Sequence, residues 1–257
     1  MVLKSPAEIE IMDRANQIVQ TILRELRSRI RAGMTTAEVD AYAERRIAEE
    51  GAVPAFKGYP HRGDGRDFPG SACTSVNSEI VHGIPSPHVV LAEGDIVSVD
   101  LGAVYKGYYG DGAETYAVGT ISDEAARLLR VTREALDLGI EQARRGNRVS
   151  DIGHAVQKHV EAAGFSVVRE FVGHGIGSSM HEEPQVPNFG QPGKRERLVP
   201  GVVLAIEPMV TAGAPDVVLS SDGWTARTRD GSHAAHYEMC VAVTENGSRI
   251  LGAQSMS

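Results

Sequence analysis

Two ten-residue segments of this chain, Leu91-Ala-Glu-Gly-Asp-Ile-Val-Ser-Val-Asp100 and Leu198-Val-Pro-Gly-Val-Val-Leu-Ala-Ile-Glu207, align without a gap. Each reads leucine, turn, glycine, apolar strand, acid. A His-Gly-Ile triplet precedes each (His82 to Ile84, His174 to Ile176), and a second acid follows aromatic residues after each, Asp111 in one half and Glu238 in the other. The order histidine, acid, acid therefore occurs twice. The intervals differ, so the chain carries a duplicated frame and not a tandem repeat. Its fold must place two related strand-and-acid units in one structure.

The first unit defines the geometry. Ile96, Val97, Val99 and Leu101 read as a largely buried strand that turns through Lys106-Gly107 into a second strand ending at Gly119. Eleven positions separate Asp100 from Asp111. A hairpin returns them to neighbouring rungs, where cross-strand side chains lie about 5 Å apart. Two carboxylates so placed persist as anions only with positive charge between them, and a pair of divalent cations is the natural candidate. Taken alone, Asp111 between Gly110 and Gly112 also reads as an ordinary turn residue, and Asp100 as a strand-end cap. The echo in the second half is what points to metal.

Composition narrows the chemistry. With 257 residues and 42% apolar content the chain is long enough for one sizeable core or two fused halves. Two cysteines, Cys73 and Cys240, suit a reducing compartment and exclude a thiolate cluster, so any metal is held by oxygen and imidazole. The N-terminus lacks the pattern of a signal peptide and no apolar run reaches the length of a membrane span, so a cytoplasmic location is expected. A net charge of −8 argues against nucleic acid as a partner. The arginines of the first 46 residues read as a solvated helix face.

In chain order, Ser5-Pro6-Ala7-Glu8 and Thr35-Thr36-Ala37-Glu38 are capping boxes. They predict a long helix running to Gly33 and a second one stopping before Gly51. Gly, Pro and charged residues between 52 and 75, including Gly63 to Asp67, read as an exposed loop. After the hairpin, Ser122 and Ser150 open two more helices, the second ending at Gly164. Strands are then expected over 165–172, 202–206 and 237–243, with a polar stretch containing Trp224 between the last two. Two helices followed by strands, twice over, predicts one α+β domain.

Asp100, Asp111, His174, Glu207 and Glu238 stand out as a ligand set. Four carboxylates and one imidazole suit Mn, Fe, Co or Zn. With bridging carboxylates, five side chains suffice for two ions about 3.5–4 Å apart that share a water of pKa roughly 7. Gly173-His-Gly-Ile-Gly177 is no phosphate loop, because no helix pattern follows it, and Pro184 blocks a zinc-protease helix at His181-Glu182-Glu183. His82 alone reads as a satisfied loop histidine. Cys73 and Met180 read equally as core, and Trp224 as a surface patch or pocket wall.

These residues, with His82 in Val-His-Gly-Ile-Pro and His181 in His-Glu-Glu-Pro, resemble the motif set of type I methionine aminopeptidase, in the metallopeptidase M24 family. The match covers about Ser5 to Leu251. The resemblance implies a pseudo-symmetric pita-bread fold, with halves of about 5–119 and 120–251 in a single catalytic domain. It also implies a two-metal site that removes the initiator methionine from nascent proteins and prefers a small second residue. By position, Asp100 would chelate one ion, His174 and Glu207 the other, and Asp111 and Glu238 would bridge. Glu207 would also act as general base. His181 would bond the scissile carbonyl, and His82 the peptide nitrogen. Tyr59, Phe68, Cys73, Met180 and Trp224 would line the methionine pocket. The implied partners are nascent polypeptide N-termini and a transient ribosome contact, with a monomer as the expected state.

The chain departs from the family pattern in four places. The loop Pro60 to Asp67 is longer than usual, Met180 replaces an aromatic residue, His236 replaces a glutamine, and Met239-Cys240 replaces His-Thr. No ligand is lost. With no zinc-finger extension, the short bacterial form is expected. The competing readings are an X-Pro aminopeptidase or prolidase-like hydrolase, which usually carries an extra N-terminal domain, and a non-catalytic binding protein on the same fold.

Overall fold

The computed structural model of the chain describes residues 1–61, 63 and 65–253. Arg62 and Asp64, in the stretch expected to be an exposed loop, lie outside the described residues. Helices α1 (Pro6–Leu26) and α2 (Thr36–Glu49) open the chain. Both capping boxes form: Glu8 N donates to Ser5 Oγ while Ser5 N donates to Glu8 Oε2, and Thr35 and Glu38 repeat the exchange. The first helix is shorter than its apolar spacing predicts. It ends at Leu26 and not near Gly33; a turn follows in which Arg29 N donates to Leu26 O, and it still buries Ile30 in the same core.

Five strands follow: β1 (Val53–Pro54), β2 (Ala72–Val76), β3 (Glu79–Val81), β4 (Ile96–Tyr105) and β5 (Tyr108–Ala117). Helices α3 (Asp123–Gln142) and α4 (Val149–Ala162) come next. The N-cap of α4 is Arg148, not a residue at Ser150, whose hydroxyl instead donates to Lys194 O and staples the helix start to a later loop. The remaining strands are β6 (Ser166–Val167), β7 (Gly173–Gly175), β8 (Glu182–Val186), β9 (Val203–Ile206) and β10 (Met209–Thr211). They continue with β11 (Val217–Leu219), β12 (Ala226–Thr228), β13 (Ala234–His236), β14 (Glu238–Thr244) and β15 (Gly247–Ile250). The strand expected over 165–172 is thus only the two residues of β6, and the glycine-rich run after it is itself a strand.

Among the described residues nine strands make one antiparallel sheet along the path β1-β4-β5-β14-β9-β7-β8, with β2 added to β4 and β15 to β14. The β5–β14 pairing joins strands from the two parts of the chain. Alternation then sorts side chains by face. Val97, Val99, Leu101 and Ala103 pack on α1 and α2, while Leu204, Ile206, Val241 and Val243 join Leu136 and Ile140 of α3 and Ile152 of α4. One sheet face is therefore covered by helices, and the other is left for chemistry.

Two glycine pairs show how sequence sets this architecture. Gly94 and Gly201 occupy the same place in the duplicated frame and both have positive φ, +95° and +93°, in a turn that only glycine makes freely. Gly110 and Gly112 flank Asp111 because α1 crosses the strand there. A Cβ at Gly110 would meet the Ala15 backbone at 2.6 Å, and one at Gly112 would meet Gln20 Nε2 at 2.7 Å. Asp111 accordingly sits within a strand and not in a turn.

Candidate active site

Register places the expected ligands on one face. Asp100 lies opposite Ala113 and Asp111 opposite Gly102, so the two acids are diagonal neighbours on the same side of the hairpin. Glu238 also pairs with Ala113, from the other flank. His174 pairs with Ala205, and Glu207 follows two residues later on that side. Five residues distant in sequence are thereby gathered on the face away from the helices.

One ligand atom each from Asp111, His174 and Glu238 lies within 4.8 Å of the others, and all three residues are buried. His174 Nδ1 donates to Gly175 O at 2.9 Å, since a carbonyl can only accept. This leaves the Nε2 lone pair facing Glu207 Oε1 at 3.5 Å and Asp111 Oδ2 at 3.7 Å. Burial pushes the carboxyl pKa of Asp100 up, and burial followed by repulsion from Asp100 does the same for Asp111. Glu207 and Glu238 are raised well above the carboxylate range, again by burial first and then by neighbouring acids. Burial lowers the His174 imidazole to about 4, with His181 adding to the effect, so it is a neutral donor at pH 7. Asp100 Oδ1 and Glu238 Oε1 are buried with no hydrogen-bond partner among the described residues. Acids packed this way stay ionised only around a cation, and the oxygen-plus-imidazole donor set fits a divalent metal.

The expected pocket residues form one apolar cluster beside this group. Phe68, Cys73 and Met180 are buried in it, and Tyr59 and Trp224 pack against it. Cys73 stands opposite Asp100, which brings the pocket wall to the ligand rung. His181 accepts or donates at Nδ1 with Tyr59 Oη at 2.7 Å, and its ring centroid is 4.4 Å from that of His174. His82 has φ +60°, an uncommon conformation for a non-glycine residue, and its ring meets Phe171 edge-on at 5.3 Å.

Other residues at the site escaped the sequence reading. Phe171 braces His82, and Phe56 joins the pocket cluster. His61 packs on Trp224 at 5.2 Å and accepts from Gly63 N and Gly65 N, while Trp224 Nε1 donates to Arg66 O at 2.8 Å. His61 and Arg66 of the long loop are therefore folded onto the tryptophan. His236 was visible only as a departure from pattern, yet its ring stands beside Glu207 and Glu238. Burial, then the charge of His82, lowers its imidazole to about 3.

Residues 10–245 match the family model described as metallopeptidase family M24. The chain belongs to metallopeptidase family M24. Within M24 it groups with the methionine aminopeptidases. It is 51% identical over 251 residues to the methionine aminopeptidase of Clostridium acetobutylicum, covering 98% of each chain. The solved methionine aminopeptidase of Thermotoga maritima superposes with a TM-score of 0.95 at 46% identity, over 99% of this chain and 100% of that one. An X-Pro aminopeptidase from the same organism gives 0.75 at 24% identity, with this chain covering 63% of it, a likeness of fold alone. The M24 fold here is the pita-bread architecture.

Proposed function

We propose that this M24 member is a methionyl aminopeptidase that uses two divalent ions, Co, Mn, Fe or Zn, to remove the initiator methionine from nascent proteins with a small second residue. What carries this reading is the junction of the acid-and-histidine face with the apolar Tyr59, Phe68, Cys73, Met180 and Trp224 cluster. Asp100, Asp111, His174, Glu207 and Glu238 hold the ions. When bound, the ions supply positive charge and a water acidic enough to be a nucleophile near neutral pH. Glu207 would take a proton from the attacking water as the water oxygen bonds to the scissile carbonyl carbon, and would pass that proton to the leaving amine as the C–N bond breaks. His181, steadied by Tyr59, donates to the scissile carbonyl oxygen as negative charge builds on it. His82 orients the peptide nitrogen, and the apolar cluster takes the methionine side chain. Residues 5–119 and 120–251 act as halves of one catalytic domain, a cytoplasmic monomer that meets its substrates at the ribosome.

The test strips the chain of metal, reloads it with Mn or Co, and follows Met-Ala-Ser, Met-Leu-Ser and Ala-Pro-Ser by mass spectrometry. Release of methionine from the first peptide alone, only with metal, is the expected result. Cleavage before proline would move the chain to the X-Pro group. No cleavage despite bound metal would support a binding protein.

A further inference from the structure

Glu207 is bracketed by two imidazoles. His174 Nε2 lies 3.5 Å from Oε1, and His236 Nε2 lies 3.8 Å from Oε2 and 4.0 Å from Glu238 Oε2. His236 is placed there by β13, whose register sets it opposite Met209, two residues beyond Glu207. Its backbone is fixed independently of its ring: His236 N donates to Thr115 Oγ1, and the Thr115 hydroxyl donates to His236 O. The ring is fully enclosed, and neither of its nitrogens has a hydrogen-bond partner among the described residues.

A neutral imidazole must carry one N–H, and leaving that N–H buried without an acceptor costs about 1–3 kcal/mol. The nearest acidic oxygens belong to Glu207 and Glu238. A movement of about 1 Å by either side chain brings Nε2 and Glu207 Oε2 to hydrogen-bond length. Carboxylates that bind metal are themselves oriented by such outer partners.

We propose that His236 is a positioning residue for Glu207: its Nε2–H donates to Oε2, which fixes the plane of the carboxylate and keeps Oε1 turned toward His174 and the other ligands. This rests on the reading of Glu207 as ligand and base. His236 touches neither substrate nor metal and acts only through Glu207.

The test compares the zinc-loaded wild type with His236→Leu, which removes the donor, and His236→Gln, which keeps an N–H in similar reach. In histidine-labelled wild-type protein, ¹H–¹⁵N spectra should show a slowly exchanging Nε2–H for His236 that moves when Glu207→Gln is introduced. His236→Leu should lower kcat on Met-Ala-Ser about 10- to 100-fold with KM within about twofold and metal content unchanged, and His236→Gln should restore most of the rate. An unchanged kcat in the leucine variant, or a His236 ring protonated on Nδ1 instead, would overturn the proposal. Loss of metal from that variant would also overturn it, by making His236 a ligand. If the wild type releases no methionine, the functional reading fails, and the spectra still decide the hydrogen bond.

Discussion

Asp111 shows how much one residue of this site depends on its surroundings. It is 3% exposed, its N–H donates to Asn16 Oδ1, and its carbonyl accepts from Cys240 Sγ, so the backbone is fixed from both sides. Its carboxylate lies between Asp100 and Glu238, where a lost charge cannot be made good by solvent. Asp111→Asn and Glu238→Gln should each abolish methionine release; near-wild-type turnover with full metal loading would refute both as bridging ligands. His181 is different in kind, since its Nδ1 is bonded to the Tyr59 hydroxyl and its proposed role is toward the substrate. His181→Ala should lower kcat by about 10²-fold with metal content intact. Asp100, Asp111, His174, Glu207 and Glu238 stood out in the sequence because they lie in a duplicated frame, whereas roles for His82 and His181 came only from the family resemblance. His61, Phe171 and the role of His236 were legible in neither way. Single aromatic or histidine residues in short strands and loops carry no period, and only the folded chain reveals what they touch.

At the scale of elements, the start of the chain supports the site. Lys4 is buried beneath the Gly177 turn, its N–H donates to Gly201 O, and its ammonium pairs with Glu182, which in turn accepts from Ser179 N. This pair, 3% and 10% exposed, fixes the segment that carries Met180 and His181. Removing one partner of a buried pair costs about 3–5 kcal/mol, whereas removing both costs less. In urea denaturation Lys4→Met should therefore be markedly less stable than wild type, and Lys4→Met/Glu182→Gln should recover a large part of the loss. Simple additivity would contradict that. The cap of α1 gives a pH test. Glu8 is lowered to about 2 by the Tyr108 hydroxyl first and by Ser5 next, so its contribution is complete above its ordinary value of 4.5 and fades as pH falls through about 2. Glu8→Gln should lower the Tm at pH 7, and the difference from wild type should shrink below about pH 4.5 and close only as pH falls through about 2. A gap independent of pH would remove the charge from the account. Helix starts were legible because capping boxes are local. The end of α1 and the short strands after residue 165 were not, since both are set by what packs against them.

For the whole molecule, the β5–β14 pairing is what turns two strand-and-acid units into one centre, because Ala113 stands between Asp100 on one side and Glu238 on the other. The sequence showed the two units but not this seam, as strand pairing across more than 100 residues leaves no local trace. Since the proposed ligands come from both parts of the chain, bound metal should hold those parts together. A ligand at about 100 times its Kd stabilises the folded state by about 2.7 kcal/mol, so the reloaded chain should melt above the stripped one, and equal Tm values would count against a shared centre. The most direct test is the number of ions bound. Titration calorimetry of the stripped chain with Mn should give two ions per chain, and Asp111→Asn/Glu238→Gln should bind at most one, weakly. Two ions bound by both proteins with equal affinity, or none by the wild type, would contradict the metal centre.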